Sequence, residues 1–243
     1  MVTVTYRDTN GLRRTLQSLE DLVREAGPNA EVLVVDGGSG VEIAQVAEEF
    51  PWARVHSDRD DGIYDAMNKG LTRSTGTFIW FLNGGDECLI DSWSRLSSEL
   101  TESPGSIILG GYVLKIGAHR ITKTSRSPSY VWHGLPTSHQ AIFYPGDVAR
   151  NNKYDVRFKM SADYQFTAQL LVAGVPAKRS ELLVALFNMD GFSSNYAHLV
   201  AREAAIVQRD ILKCPLHLRA FSRLRHFASR NARRMQARFW SVS

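Results

Sequence analysis

The sequence predicts an open α/β fold in which a mostly parallel sheet carries helices on both faces, with a basic helical tail at its carboxyl end. Three observations carry this. Strand-like apolar runs alternate with segments of helical periodicity through the first 90 residues. The stretch "EVLVVDGGSG" holds four consecutive apolar residues instead of an in-out alternation, as a strand buried on both faces requires. Strand-like segments also end at Tyr6, Asp36 and the Asn83–Asp86 turn, and in open α/β sheets ligands bind beyond the carboxyl ends of the strands.

In chain order, "VTVTY" is β-branched and aromatic and reads as the first strand. Leu12, Leu16, Leu19, Leu22 and Val23 then recur at helical spacing. "AEVLVVD" is the second strand, "VEIAQVAEEF" a helix, "ARVHSD" a third strand, "GIYDAMNKGLTRS" a helix, and "GTFIWFLNGGDE" a strand that stops at Asn83. Beyond residue 90 the pattern becomes mixed. "SIILGGYVLKIG" and "HRITKTS" read as an antiparallel pair, "HGLPTSHQAIFYP" as loop then strand, "SADYQFTAQLLVAG" as a helix, and "AKRSELLVALFNMDGFSS" as strand then turn. No repeat or linker divides residues 1–210, which are expected to form one domain, with 211–243 as a tail.

Composition narrows the class. With 44% hydrophobic residues the 243-residue chain can bury a full core. Cys88 and Cys214 lie far apart and form neither a disulfide framework nor a metal-spaced pair, which fits a reducing cytoplasm. No apolar run approaches the roughly 20 residues of a membrane span, and the first residues lack a basic-then-apolar signal.

The net charge of +4 is unevenly placed, because eight of the 29 basic residues and none of the 25 acidic ones fall in 211–243. There Phe221, Leu224, Ala228, Ala232, Met235 and Phe239 share one helical stripe, with Arg219, Arg223, His226, Arg230, Arg233 and Arg234 opposite and Arg225 intruding. Such a helix either lies on an anionic membrane surface or packs its stripe on the domain or on a second copy of the chain, as a homodimer. Nucleic acid is not an expected partner, since no recognition-sheet pattern of aromatics and glycines is present.

The chemistry concentrates at the strand ends. Asp36, followed by Gly37 and Gly38, is either a turn acid or a carboxylate that accepts hydrogen bonds from a base or ribose. No GxGxxG follows the first strand, so a bound nucleotide would need another means of neutralising its phosphates. "LNGGDE" supplies Asp86, with Asn83 and Glu87, where glycines allow close approach, and hard cations take one or two such carboxylates plus phosphate oxygens. A plain acidic turn is the alternative.

"VTVTYR", "EVLVVDGGS", "DDGIYDAMNKGL", "TGTFIWFLNGGDE" and "ADYQFTAQLLVAG" together resemble, in order and spacing, the successive blocks of family 2 glycosyltransferases with the GT-A fold, of the bacterial surface-polysaccharide or glycolipid type. The resemblance spans residues 1 to about 195 and implies a Rossmann-like three-layer α/β/α sandwich with a mostly parallel, mixed central sheet. It further implies an inverting enzyme that moves a sugar from a nucleotide-diphospho-sugar to a saccharide or lipid-linked acceptor. Mn2+ or Mg2+ would be the cofactor, and the place of work the cytoplasm or the inner face of the membrane.

By the same resemblance Thr5, Tyr6 and Asp36 hold the nucleoside, and Asp61, Asp65 and Lys69 line the donor crevice. Asp86 coordinates the cation, and Asp163, at the start of a helix with Ser161 as its cap, is the catalytic base. His139 and Gln140 fall in the acceptor-side loop, as structural residues or as substrate contacts, and Gly191 and Ser193 in a closing segment. Two departures stand out: Arg7 replaces the usual Asn after Tyr6, and Asn83 replaces the first carboxylate of the metal motif. The second leaves open a different class, a non-catalytic subunit that binds a nucleotide-sugar or an anionic lipid.

Overall fold

In a computed structural model, which describes residues 1–188 and 196–226, the alternation predicted for the first half is realised. Strands β1 (Val2–Thr5), β2 (Val32–Asp36) and β3 (Ala53–Ser57) pair in parallel, with β1 against β2 and β2 against β3. They are connected by helices α1 (Thr9–Ala26) and α2 (Val41–Glu48), and α3 (Ile63–Arg73) follows β3. Strand β4 (Phe78–Trp80) continues alongside β1. The Leu82 amide donates to the Val2 carbonyl at 3.0 Å, and the Gly84 amide to the Val4 carbonyl at 2.9 Å.

The second half is the mixed part. Its strands are β5 (Glu87–Cys88), β6 (Ile107–Ile116), β7 (His119–Lys123), β8 (Ile142–Pro145) and β9 (Ala177–Asn188). They run in the order β4-β8-β6-β9-β5, and β7 pairs with β6 as the predicted antiparallel hairpin. Among the described residues of this half only β6 and β9 pair in parallel, so parallel pairing dominates the first half and antiparallel pairing the second. Helices α4 (Trp93–Thr101), α5 (Gly146–Arg150), α6 (Ala162–Val172) and α7 (Ala197–Ile206) complete the body, and a helix over 216–226, α8, follows. Helices α4, α5 and α7 were not legible in the sequence.

The sheet is covered on both sides. Val32, Val34, Trp80 and Leu82 pack on one face with Leu12, Leu16, Leu19 and Ile43 of α1 and α2. Leu33, Val35, Ile79 and Phe81 point to the other, against Met67 and Leu71 of α3 and Phe166 and Leu170 of α6. Strand β2 thus buries every side chain, which is why its sequence does not alternate.

The tail is helical over its described part, and there its apolar stripe is not packed on the domain. One edge of the predicted polar arc of α8 turns inward while Arg223 stays exposed: His226 stacks on His133 with ring centroids 4.2 Å apart, and the neighbouring Ser222 hydroxyl lies 2.7 Å from His133 Nδ1. The predicted apolar stripe faces out, with Leu224 63% and Phe221 52% exposed. The cause is polar pairing, since Gln208 Nε2 also donates to Ser222 Oγ at 2.8 Å and these buried groups hold that side of the helix. Residues 227–243 lie outside the described part.

Candidate active site

The carboxyl ends of β1, β2 and β4 and the start of α3 enclose a cavity of about 520 Å3, lined among others by Thr5, Tyr6, Asp8, Arg59, Asp60 and Asn83. The predicted strand ends therefore do meet in one crevice. Tyr6 is 56% exposed and presents its ring there, with the Arg7 guanidinium 5.0 Å from the ring centre. Arg7 adopts φ 52°, and its amide donates to Ser39 Oγ at 2.7 Å. Asn tolerates this left-handed backbone better than Arg, which explains physically why an Asn is usual at the position.

Asp36 is fully buried beneath this surface. Its Oδ2 accepts from the Ser39 amide at 2.8 Å and the Ser57 hydroxyl at 2.6 Å, and Oδ1 from the Ser39 hydroxyl. It fastens the turn that supports Arg7. Gly37 is needed for space: a Cβ there would come 2.5 Å from Asp60 Oδ2 and 3.2 Å from the Tyr6 ring. Asp60 in turn accepts from the Gly62 amide at 2.9 Å.

The residues nominated in the third block sit beside the cavity. The Asp61 amide donates to Asp65 Oδ2 at 3.2 Å. Lys69 Nζ lies 3.6 Å from both Asp58 and Asp65 and donates to the carbonyls of Asp58 and Arg59. Its charge is thus used to hold the loop, and Arg59 and Asp60 are the side chains this loop presents to the cavity. Sequence reasoning passed over both, as it did Asp8. The Asp8 Oδ1 caps α1 by accepting from the Gly11 amide at 2.7 Å, the usual use of an N-terminal Asp.

The Asn83–Asp86 turn closes the other wall. Gly85 takes φ 98°, a conformation suited to glycine. Thr15 of α1 pins the turn: its hydroxyl donates to the Asp86 carbonyl at 2.6 Å and lies 3.0 Å from the Gly85 amide. Asp86 itself is 5% exposed, and its Oδ1 accepts from the Asn188 amide at 3.1 Å. Burial raises its carboxyl to about 7, against lowering hydrogen bonds from the Asn188 amide and the Gln140 side chain. Gln140 therefore supports Asp86, while His139 stacks on Phe81 at 5.3 Å as a core residue that burial holds down at about 4.

A divalent cation fits this wall. Asn83 Oδ1 is buried without a hydrogen-bond partner, as is Thr5 Oγ1, and both belong to residues that line the cavity. Asn83 Oδ1 in the cavity lining and the Asp86 carboxylate three residues on are both hard oxygen donors of the kind Mg2+ and Mn2+ take. Among the described residues no three His, Cys, Asp or Glu side chains gather to hold a metal. One carboxylate and an amide suit a cation that completes its shell with substrate phosphates.

Asp163 stands at the start of α6, half-buried, and its Oδ1 accepts from the Tyr164 amide at 2.8 Å and from the Tyr64 hydroxyl of α3 at 3.4 Å. Burial lifts its carboxyl to about 6, against those two hydrogen bonds. The expected cap does not form, since the Ser161 side chain makes no capping bond. Glu203 of α7 anchors this entry instead, accepting from the amides of Lys159 at 2.7 Å and Met160 at 2.9 Å. Gly191 and Ser193 lie outside the described residues.

The family described as glycosyl transferase family 2 matches residues 1–159. The chain belongs to that family. Membership makes it a transferase, which favours the enzyme over a non-catalytic subunit. The glycosyltransferase is 28% identical over 215 residues to a PGL/p-HBAD biosynthesis glycosyltransferase of Mycobacterium bovis, spanning 80% of this chain and 76% of that one. It is also 28% identical over 178 residues to an uncharacterised glycosyltransferase of Mycobacterium tuberculosis, 68% of this chain and 66% of the other.

Among solved structures it resembles S. aureus TarS 1–349 in complex with UDP-GlcNAc, with a TM-score of 0.68 at 15% identity over 93% of this chain and 72% of that one. It also resembles the mannosyltransferase PcManGT from Pyrobaculum calidifontis in complex with GDP-Man and Mn2+, with a TM-score of 0.64 at 13% identity over 93% and 69%. These likenesses establish the GT-A fold.

Proposed function

We propose that this glycosyltransferase moves a sugar, with inversion, from a nucleotide-diphospho-sugar to a hydroxyl of a saccharide or lipid-linked acceptor in cell-surface glycan synthesis. The observation that carries the reading is the pairing of a polar cavity at the strand ends with a half-buried carboxylate, Asp163, held by Tyr64 from the α3 start that borders the cavity. Nucleotide-sugars bound to TarS and PcManGT support the donor class.

In this reading the Tyr6 ring and Thr5 receive the nucleoside over the turn fastened by Asp36, and Arg59 offsets the charge of the diphosphate. Asp61, Asp65 and Lys69 keep the loop that presents Arg59 in place. When bound, Mn2+ or Mg2+ held by Asp86 and Asn83 would neutralise charge on the leaving nucleoside diphosphate. Asp163 takes the acceptor hydroxyl proton as the acceptor oxygen bonds to the anomeric carbon and the bond from that carbon to the diphosphate breaks. A carboxyl near 6 is ionised at neutral pH yet basic enough to accept that proton.

The test is product stereochemistry. Donors carrying uridine, guanosine or thymidine diphosphate are supplied with manganese and a panel of acceptors, and the anomeric centre of the product is read by NMR. An inverted centre is expected. A retained centre, or nucleotide binding without turnover across the panel, overturns the proposal.

A further inference from the structure

A second feature lies away from the donor cavity, on the side formed by α7 and α8. A cleft of about 860 Å3 opens between these helices, and Arg202, Arg209, Arg219 and Arg223 line it together with Ile206 and Leu224. Arg209 pairs with Asp210 at 2.6 Å. Among the described residues the other three guanidinium groups form no ion pair, and Arg219 Nε is buried without a hydrogen-bond partner. Glu203, the nearby acid on α7, is 5% exposed and committed to the backbone amides ahead of α6. Asp210, the carboxylate beside the cleft, pairs with Arg209 and also feels Arg219, so among the described residues four arginines leave the cleft with an excess of positive charge.

Beside the cleft, α8 turns apolar side chains to solvent. Leu216 is 71% exposed and Leu224 63%, while Ser222, on the opposite side of the helix, is 1% exposed and fixed to His133 and Gln208. Positions 216, 220, 223 and 224 fall on one helical face, so Leu216 and Leu224 project outward with Arg223 at their flank. A helix whose polar side is tied down and whose leucines stand among arginines is matched to a surface that is anionic outside and apolar beneath.

We infer that the α7–α8 face docks on an anionic membrane surface, with Leu216 and Leu224 entering the interface and the arginine cleft receiving lipid headgroup phosphates. Charge complementarity selects this occupant over an apolar protein groove, because three unpaired guanidiniums would be costly to bury against a neutral surface. The chain past residue 226 adds four more arginines and no acid, in the same sense. The inference is independent of the sugar-transfer reading and would place the enzyme where lipid-linked acceptors reside.

The test is co-sedimentation of the full chain with phosphatidylcholine vesicles and with vesicles that also contain phosphatidylglycerol. The wild type is expected to pellet only with the anionic vesicles, and less so as salt is raised. Arg202→Glu with Arg223→Glu, both at exposed positions, is expected to weaken binding at least about tenfold. Leu216→Asp with Leu224→Asp is expected to weaken it comparably, with the thermal melt unchanged in both variants. Vesicle binding equal to wild type in both variants overturns the inference, as does failure of the wild type to bind anionic vesicles. A concentration-dependent dimer that Leu216→Asp with Leu224→Asp breaks, in a protein that does not bind vesicles, overturns it in favour of a second copy.

Discussion

The acids of the loops after β2 and β3 and the pair Asp86 and Asp163 are held differently. Asp36 is as buried as any residue of the core, yet the Ser39 amide and the Ser39 and Ser57 hydroxyls surround it with donors. Asp60 and Asp65 are likewise tied to the amides of Gly62 and Asp61, and Asp65 also to Lys69. Asp86 and Asp163 each accept from two donors against the three of Asp36, and burial lifts their carboxyls to about 7 and about 6. The difference teaches that Asp36 has both oxygens tied into its turn, whereas at Asp86 and Asp163 burial outweighs the hydrogen bonds they accept, as the proposed cation and proton roles require.

The sharpest break of this contrast is Asp163→Asn, which keeps the shape and removes the base. Transfer is expected to fall by about 10^3-fold with donor affinity unchanged, as read by steady-state kinetics beside calorimetry of donor binding. Loss of binding instead would move Asp163 into the structural set. Asp86→Ala comes next. On the proposed role of Asp86 as a carboxylate for the cation, kcat/KM is expected to drop by about 10^2-fold, with the response to added manganese lost. Equal rates in variant and wild type would remove the metal role.

Asp36→Ala tests the other side of the contrast. It leaves two hydroxyls and an amide without their acceptor in a buried place, costing about 2–3 kcal/mol, or a fall in Tm of about 4–10 °C. The rate at a temperature where the variant is folded should change far less than in Asp163→Asn. The smallest effect is expected for Lys69→Met. Its contacts with Asp58 and Asp65 at 3.6 Å are at the surface, worth under about 1 kcal/mol, so KM for the donor should rise no more than about fivefold.

Much of this arrangement was legible in the sequence because it follows from local pattern. The unalternating run of β2 announced a strand buried on both faces, and glycines after Asp36 and before Asp86 marked where walls come close. What was not legible depends on contacts between distant residues. Asp61 was nominated and Asp60 was not, because the direction of that loop is set by Lys69 and by Gly62 at φ 121°. Thr15 and Asp8 reach the site only because α1 packs against the Asn83–Asp86 turn. The period of α8 was legible but not which side would face the domain, since the pairing of Ser222 with His133, 89 positions away, decides it.

The most direct test of the account is the pH dependence of kcat/KM for transfer, or for donor hydrolysis with water as the acceptor, at saturating manganese. The Asp163 carboxyl is raised to about 6 by burial, so the base is protonated and idle below that pH and ionised above it. The rate of the wild type should therefore rise through a midpoint near pH 6 and level off, and the residual rate of Asp163→Asn should lack that limb. An Asp163→Asn enzyme that keeps both the rate and the limb would contradict the assignment of the proton to Asp163.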